Sequence, residues 1–105
     1  MNTTKMHKVR ITVVRIVNHY DLSELYENKI EHACMYHEKD SFISIDGKKP
    51  DGFCSEAWKS IEPFAINLAN GTGNFFDGWM KDPYTACISC NDGFRPVSFL
   101  LEMLD

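Results

Sequence analysis

The chain has 105 residues, 44% of them hydrophobic and 25% charged, with a net charge of −4. That length suits a single domain around one core, and that mix belongs to a folded globular chain and excludes wholesale disorder. The acidic balance argues against a nucleic-acid partner, which needs clustered Lys and Arg; the early basic group Lys5, Lys8, Arg10 and Arg15 is read as a strand lying against acidic neighbours.

Residues 8–17 place Val9, Ile11, Val13 and Val17 on one face at period two among β-branched neighbours, which predicts a strand. Asp21 stands three residues before Glu24 in capping-box order, and Leu22, Leu25, Tyr26 and Ile30 follow at helical intervals, predicting a helix over about 22–32. Ser41 to Asp46, with Phe42, Ile43 and Ile45, predicts a short second strand closed by the turn Asp46-Gly47. From Ser55 onward Ala57, Trp58, Ile61, Phe64, Ala65 and Leu68 form one apolar stripe, so a longer helix is expected to end at Asn70-Gly71, bent or split by Pro63.

Residues 71–83 read as a loop that packs aromatics, with Gly71-Thr72-Gly73-Asn74 as a helix stop. Residues 84–90 and 97–104 predict a closing β-hairpin around Asn91-Asp92-Gly93-Phe94-Arg95-Pro96, in which the Asp-Gly step is expected to supply a positive φ. The order β-α-β-α-β-β defines an α+β fold: an antiparallel or mixed sheet of about four strands with the longer helix on one face.

The first residues lack the apolar core of a signal peptide and no later run could span a bilayer, so a cytoplasmic protein with no membrane partner is expected. In a reducing compartment Cys34, Cys54, Cys87 and Cys90 are free thiols or metal ligands rather than a disulfide framework. Cys34-x-x-His37 and Cys87-x-x-Cys90 together supply three sulfurs and an imidazole, a tetrahedral zinc set. A regular strand would, however, point Cys87 and Cys90 to opposite faces, so only a local turn lets both bind one ion.

Cys54 falls at the start of the longer helix, where unpaired N–H groups and the dipole favour negative charge, which marks it as the candidate reactive sulfur. Arg95 and Asp92 lie in the hairpin turn beside Cys90, so they either hold an anionic ligand or merely pin the turn. His7, His19 and His32 read as solvated or partly packed rings, and no Ser-His-Asp set is identifiable. Trp58, Phe64, Phe75, Phe76 and Trp79 read as core, or as a wall for a flat ligand.

Gly52-Phe53-Cys54 with Ala57-Trp58, then Gly73-Asn74-Phe75, then Cys90-Asn91-Asp92-Gly93-Phe94-Arg95-Pro96-Val97 resemble an uncharacterised family of short bacterial and archaeal proteins, many from anaerobes. The resemblance runs over nearly the whole chain after about residue 8 and implies a recurring cysteine set, which here would be Cys34, Cys54 and Cys90. Where that family carries a proline and a glycine after its first cysteine, this chain reads Met35-Tyr36-His37-Glu38-Lys39-Asp40.

No established activity comes with the resemblance. The leading expectation is a cysteine-centred site of Cys34, Cys54 and Cys90, with Cys87 or His37 as a fourth ligand, holding zinc or an iron-sulfur centre. The alternatives are a thiol-dependent enzyme or sulfur-handling protein using Cys54 with Arg95, and a binding module without chemistry whose small-molecule, protein or self-partner is left open.

Overall fold

The computed structural model describes residues 6–29 and 36–105. Its elements are β1 (Val9–Ile16), α1 (Tyr20–Tyr26), β2 (Ser41–Ser44), α2 (Ser55–Ala69), β3 (Thr85–Ser89) and β4 (Val97–Met103). The strands form one sheet in the order β2-β1-β4-β3 with every neighbouring pair antiparallel, so the α+β reading and its element order hold. Among the described residues, no helix is long and apolar enough to cross a membrane.

Strand alternation sorts the side chains. Val9, Ile11 and Val13 of β1, Ala86 of β3, and Val97, Phe99 and Leu101 of β4 are buried on one face. Against them α2 lays Ala57, Trp58, Ile61, Ala65, Leu68 and Ala69, giving one apolar core. Fully burying a Leu, Ile or Phe side chain stabilises by about 1.5–3 kcal/mol, so this helix-on-sheet layer carries most of the favourable burial. Among the described residues, no helix covers the opposite face; there Arg10 faces Glu102 across the β1–β4 ladder at 3.8 Å, and Leu100 is half-buried beside exposed Cys87.

Several expectations are corrected at the level of single residues. Val17 does not join the core face of β1, because the β1–β4 register shifts between Val13 and Arg15 and throws the alternation out beyond it. Val14 and Val17 are consequently exposed.

The first helix begins at Tyr20 rather than 22, with His19 at its N-cap and Asp21 inside the first turn instead of capping it. It stops at Tyr26, because Glu27 turns to extended backbone (ψ 136°) while its N–H still closes on Ser23 O. Residues 30–32 of the predicted helix lie outside the described residues.

β2 ends at Ser44, and the following turn has both Asp46 (φ 57°) and Gly47 (φ 70°) left-handed. The Lys48 N–H to Ile45 O bond of 3.1 Å closes it as a type I′ turn.

Pro63 does not split α2, which runs unbroken through it. Pro63 lies on the solvent side, where water can satisfy the carbonyl that its missing N–H leaves unpaired. The helix stop at Gly71 (φ 81°) is a Schellman motif: Gly71 N–H bonds Leu68 O at 3.0 Å and Thr72 N–H bonds Asn67 O at 2.8 Å.

Residues 71–83 hold a second device. A Cβ on Gly73 would sit 2.2 Å from Pro83 O, so only glycine lets these two backbone segments meet at the entrance to β3.

The five aromatics grouped in the sequence separate into two sets. Trp58 joins Phe53 in the core, whereas Phe64 and Phe75, half-buried against that core, run through edge-to-face and tilted ring contacts to Phe76 and Trp79 at the surface, where Phe76 is 72% exposed. Phe76, Asp77 and Gly78 all have positive φ, and Trp79 N–H reaches Phe75 O, making one left-handed turn.

A candidate two-cysteine site

Gly52, Phe53 and Cys54 deliver a thiol to the surface by a division of labour. Gly52 takes φ 77°, which reverses the chain ahead of α2. Phe53 then drops into the core, 3% exposed, with its ring 5.1–5.5 Å from those of Phe42, Phe99 and Tyr36. Cys54 follows as the N-cap residue of α2, exposed, its own N–H donating to Tyr36 Oη at 2.7 Å. Tyr36 thereby ties the segment before β2 to the start of α2.

Cys90 is the first residue past β3. Its N–H donates to Val97 O at 2.9 Å, and its Sγ accepts from Val97 N–H at 3.3 Å, so this sulfur is half-buried and oriented by backbone. The turn that follows is not built as expected, since neither Asp92 nor Gly93 has a positive φ. Instead Asp92 Oδ1 accepts from the N–H groups of Phe94 (2.7 Å) and Arg95 (3.1 Å), folding the turn through a side chain.

The start of α2 and the β3–β4 turn border one cleft of about 270 Å³, lined by Tyr36, Cys54, Glu56, Ala57, Cys90, Asn91, Asp92 and Arg95. Cys54 and Cys90 are therefore brought together, and the two turn residues singled out in the sequence, Asp92 and Arg95, stand in the same wall.

Arg95 points its fork at Glu27. NH1 donates to Oε1 at 2.9 Å and NH2 to Oε2 at 2.5 Å, with the two side chains 18% and 16% exposed. The Arg95 bonds hold the Glu27 carboxyl below the usual glutamate range, outweighing the opposing effect of partial desolvation.

The other predicted ligands stand elsewhere. Cys87 is exposed on the open face of the sheet, because Ala86 and Ile88 on either side of it point toward α2, and it is not among the residues lining the cleft that Cys90 borders. The His37 side chain is 85% exposed and lies 3.9 Å from Asp40, away from the cleft. Cys34 and His32 lie outside the described residues. His7 donates from Nδ1 to Leu104 O at the far end of β4.

Among the described residues, no group of three or more His, Cys, Asp or Glu side chains is gathered as a metal ion would need.

The sequence reading missed Tyr36, Glu56, Asn91 and Glu27. Asn91 lay within a motif already singled out, and Tyr36 beside His37; Glu27, 68 positions from Arg95, had no local signal at all.

The geometry thus defines a class, a small α+β protein with a two-thiol cleft beside a guanidinium–carboxylate pair. Comparison with protein-family models, curated proteins and solved structures finds no match to this chain.

Proposed function

We propose that the protein is a cysteine-dependent, small-molecule-handling protein whose working groups are Cys54 and Cys90. The observation that carries this is that two cysteines, far apart in the sequence, line one cleft. Cys54 is the exposed, attacking sulfur; Cys90, held by Val97 N–H, is the shielded partner. Free thiols in these roles fit a reducing, cytoplasmic setting.

The test is site-resolved alkylation by iodoacetamide, a neutral reagent. Cys54 in the folded protein is expected to react several-fold faster, on the order of 3–10 times, than in the denaturant-unfolded chain, as an activated thiol does. Equal or slower reaction would remove Cys54 from the role.

A second reading, favoured by the same pairing of two soft donors, is a zinc or iron-sulfur centre on Cys54 and Cys90. Its third ligand would be Cys34, which stands two positions before the cleft residue Tyr36 in the sequence. The resemblance to proteins with Gly-Phe-Cys and Cys-x-Asp-Gly-x-Arg-Pro motifs supports the same three sulfurs. Metal analysis of anaerobically purified protein separates the readings: near-stoichiometric zinc or iron supports the centre, and only a trace counts against it.

A further inference from the structure

Arg95 stands between two recesses. On one side it lines the cleft with Cys54 and Cys90; on the other it lines a shallower recess with Ser23, Glu24 and Glu27. The cation is well anchored, since its backbone is locked into the hairpin turn by Asp92. The anion is not. Glu27 is the C-cap of α1, a seven-residue helix with no buried residue, too short to stand without outside support.

We propose that Glu27 is a built-in substitute for a ligand's carboxylate: the cleft takes a small carboxylate-bearing molecule that replaces Glu27 on Arg95, with α1 as the latch that gives way. This rests on the thiol reading of the cleft and adds to it a ligand class and a gate.

The chemistry of exchange favours it. Swapping one carboxylate for another on the same guanidinium preserves both hydrogen bonds and the charge balance, while the released Glu27 returns to water. A neutral molecule offers Arg95 no such replacement, so the latch stays closed to it. Because α1 has no core contacts to break, the displacement leaves the sheet and α2 untouched.

Iodoacetate and iodoacetamide deliver the same carbon to sulfur, displacing iodide as the C–S bond forms, and differ mainly in the carboxylate. The ratio of their rates at each cysteine, read by peptide mass spectrometry, reports whether the Arg95 seat is open. Glu27→Gln leaves Arg95 only a neutral amide, which an incoming carboxylate displaces far more easily, and is expected to raise the iodoacetate-to-iodoacetamide ratio at Cys54 and Cys90 about tenfold, the scale of one charge-assisted contact. Cys87, on the open face, should stay within about twofold and serves as the reference within the same molecule.

Glu24→Gln removes an equal charge from the same helix and should change the cleft ratio less than about twofold, since it weakens neither of the Glu27 bonds to Arg95. Adding Arg95→Lys to Glu27→Gln keeps the cation but removes the fork, and should take back most of the gain.

The latch is overturned if Glu27→Gln leaves the ratio unchanged, or if Glu24→Gln or Cys87 shows the same rise, which would be charge alone. Cleft cysteines that resist both reagents would instead defeat the thiol reading, and the latch with it.

Discussion

Neighbouring residues on β3 and β4 meet opposite fates. Phe99 is fully buried between the rings of Tyr36 and Phe53, while Leu100 beside it lies half-buried on the uncovered face. Ala86 is sealed under α2, and Cys87 is in the open. One residue past the end of β3, Cys90 keeps the parity of Ala86 and Ile88, packs against the edge of the core and lines the cleft. Chemical type does not decide among these residues; the parity of their position on a strand does, together with where the strand stops.

The strongest way to break that contrast is to remove the covered side. Phe99→Ala is expected to cost about 3–5 kcal/mol, as large-to-small changes of buried aromatics do, whereas Leu100→Ala should cost well under half as much. Denaturant titration of both variants measures the difference directly; similar costs would mean that the open face is covered too.

Next comes the point where parity is set. Gly73→Ala forces a Cβ against Pro83 O just ahead of β3, and a cost of about 1–3 kcal/mol is expected, with β3 disturbed before β1. Amide signals of Thr85–Ser89, compared with those of Val9–Ile16, locate the damage.

At the other end of β3, Asp92→Ala removes the acceptor of two backbone N–H groups and should cost about 1–2 kcal/mol, the range of a lost side-chain cap. Cys90 should then lose its protection against alkylation while Cys87 keeps its rate.

The smallest effect concerns pH. Arg95 lowers the Glu27 carboxyl, so the pair contributes stability that is present above the unfolded-state glutamate value and is lost as pH falls through the lower folded-state value. Wild type should therefore melt above Glu27→Gln at neutral pH, and the gap should close progressively below about pH 4. Thermal melts of the two proteins across that range check the sign; a gap that persisted in acid would mean the pair is not its source.

Much of the scaffold was legible in the residues. The β-branched alternation of Val9, Ile11 and Val13 and the stripe from Ala57 to Leu68 are local signals, and both elements lie where those signals put them. Gly71 was readable as a stop because a left-handed residue after a helix favours glycine.

What escaped is non-local or compensated. Val17 depended on a register slip against β4, and Pro63 on facing water. The Asp92-Gly93 step looked like a glycine turn but is closed by the aspartate. In the cleft, the thiols could be nominated singly, yet their meeting depends on α2 crossing the sheet, and nothing near Glu27 announced Arg95 as its partner.

The Phe53 plug has a consequence for motion. Cys54 is exposed, but its neighbour on the chain is held among four aromatic rings and its own amide is bonded to Tyr36. Freeing that thiol from its place requires drawing Phe53 out, an event that belongs with sub-global opening rather than loop fraying. Deuterium should therefore enter the amides of Phe53 and Cys54 on the slow schedule of the central strands, while α1 exchanges early.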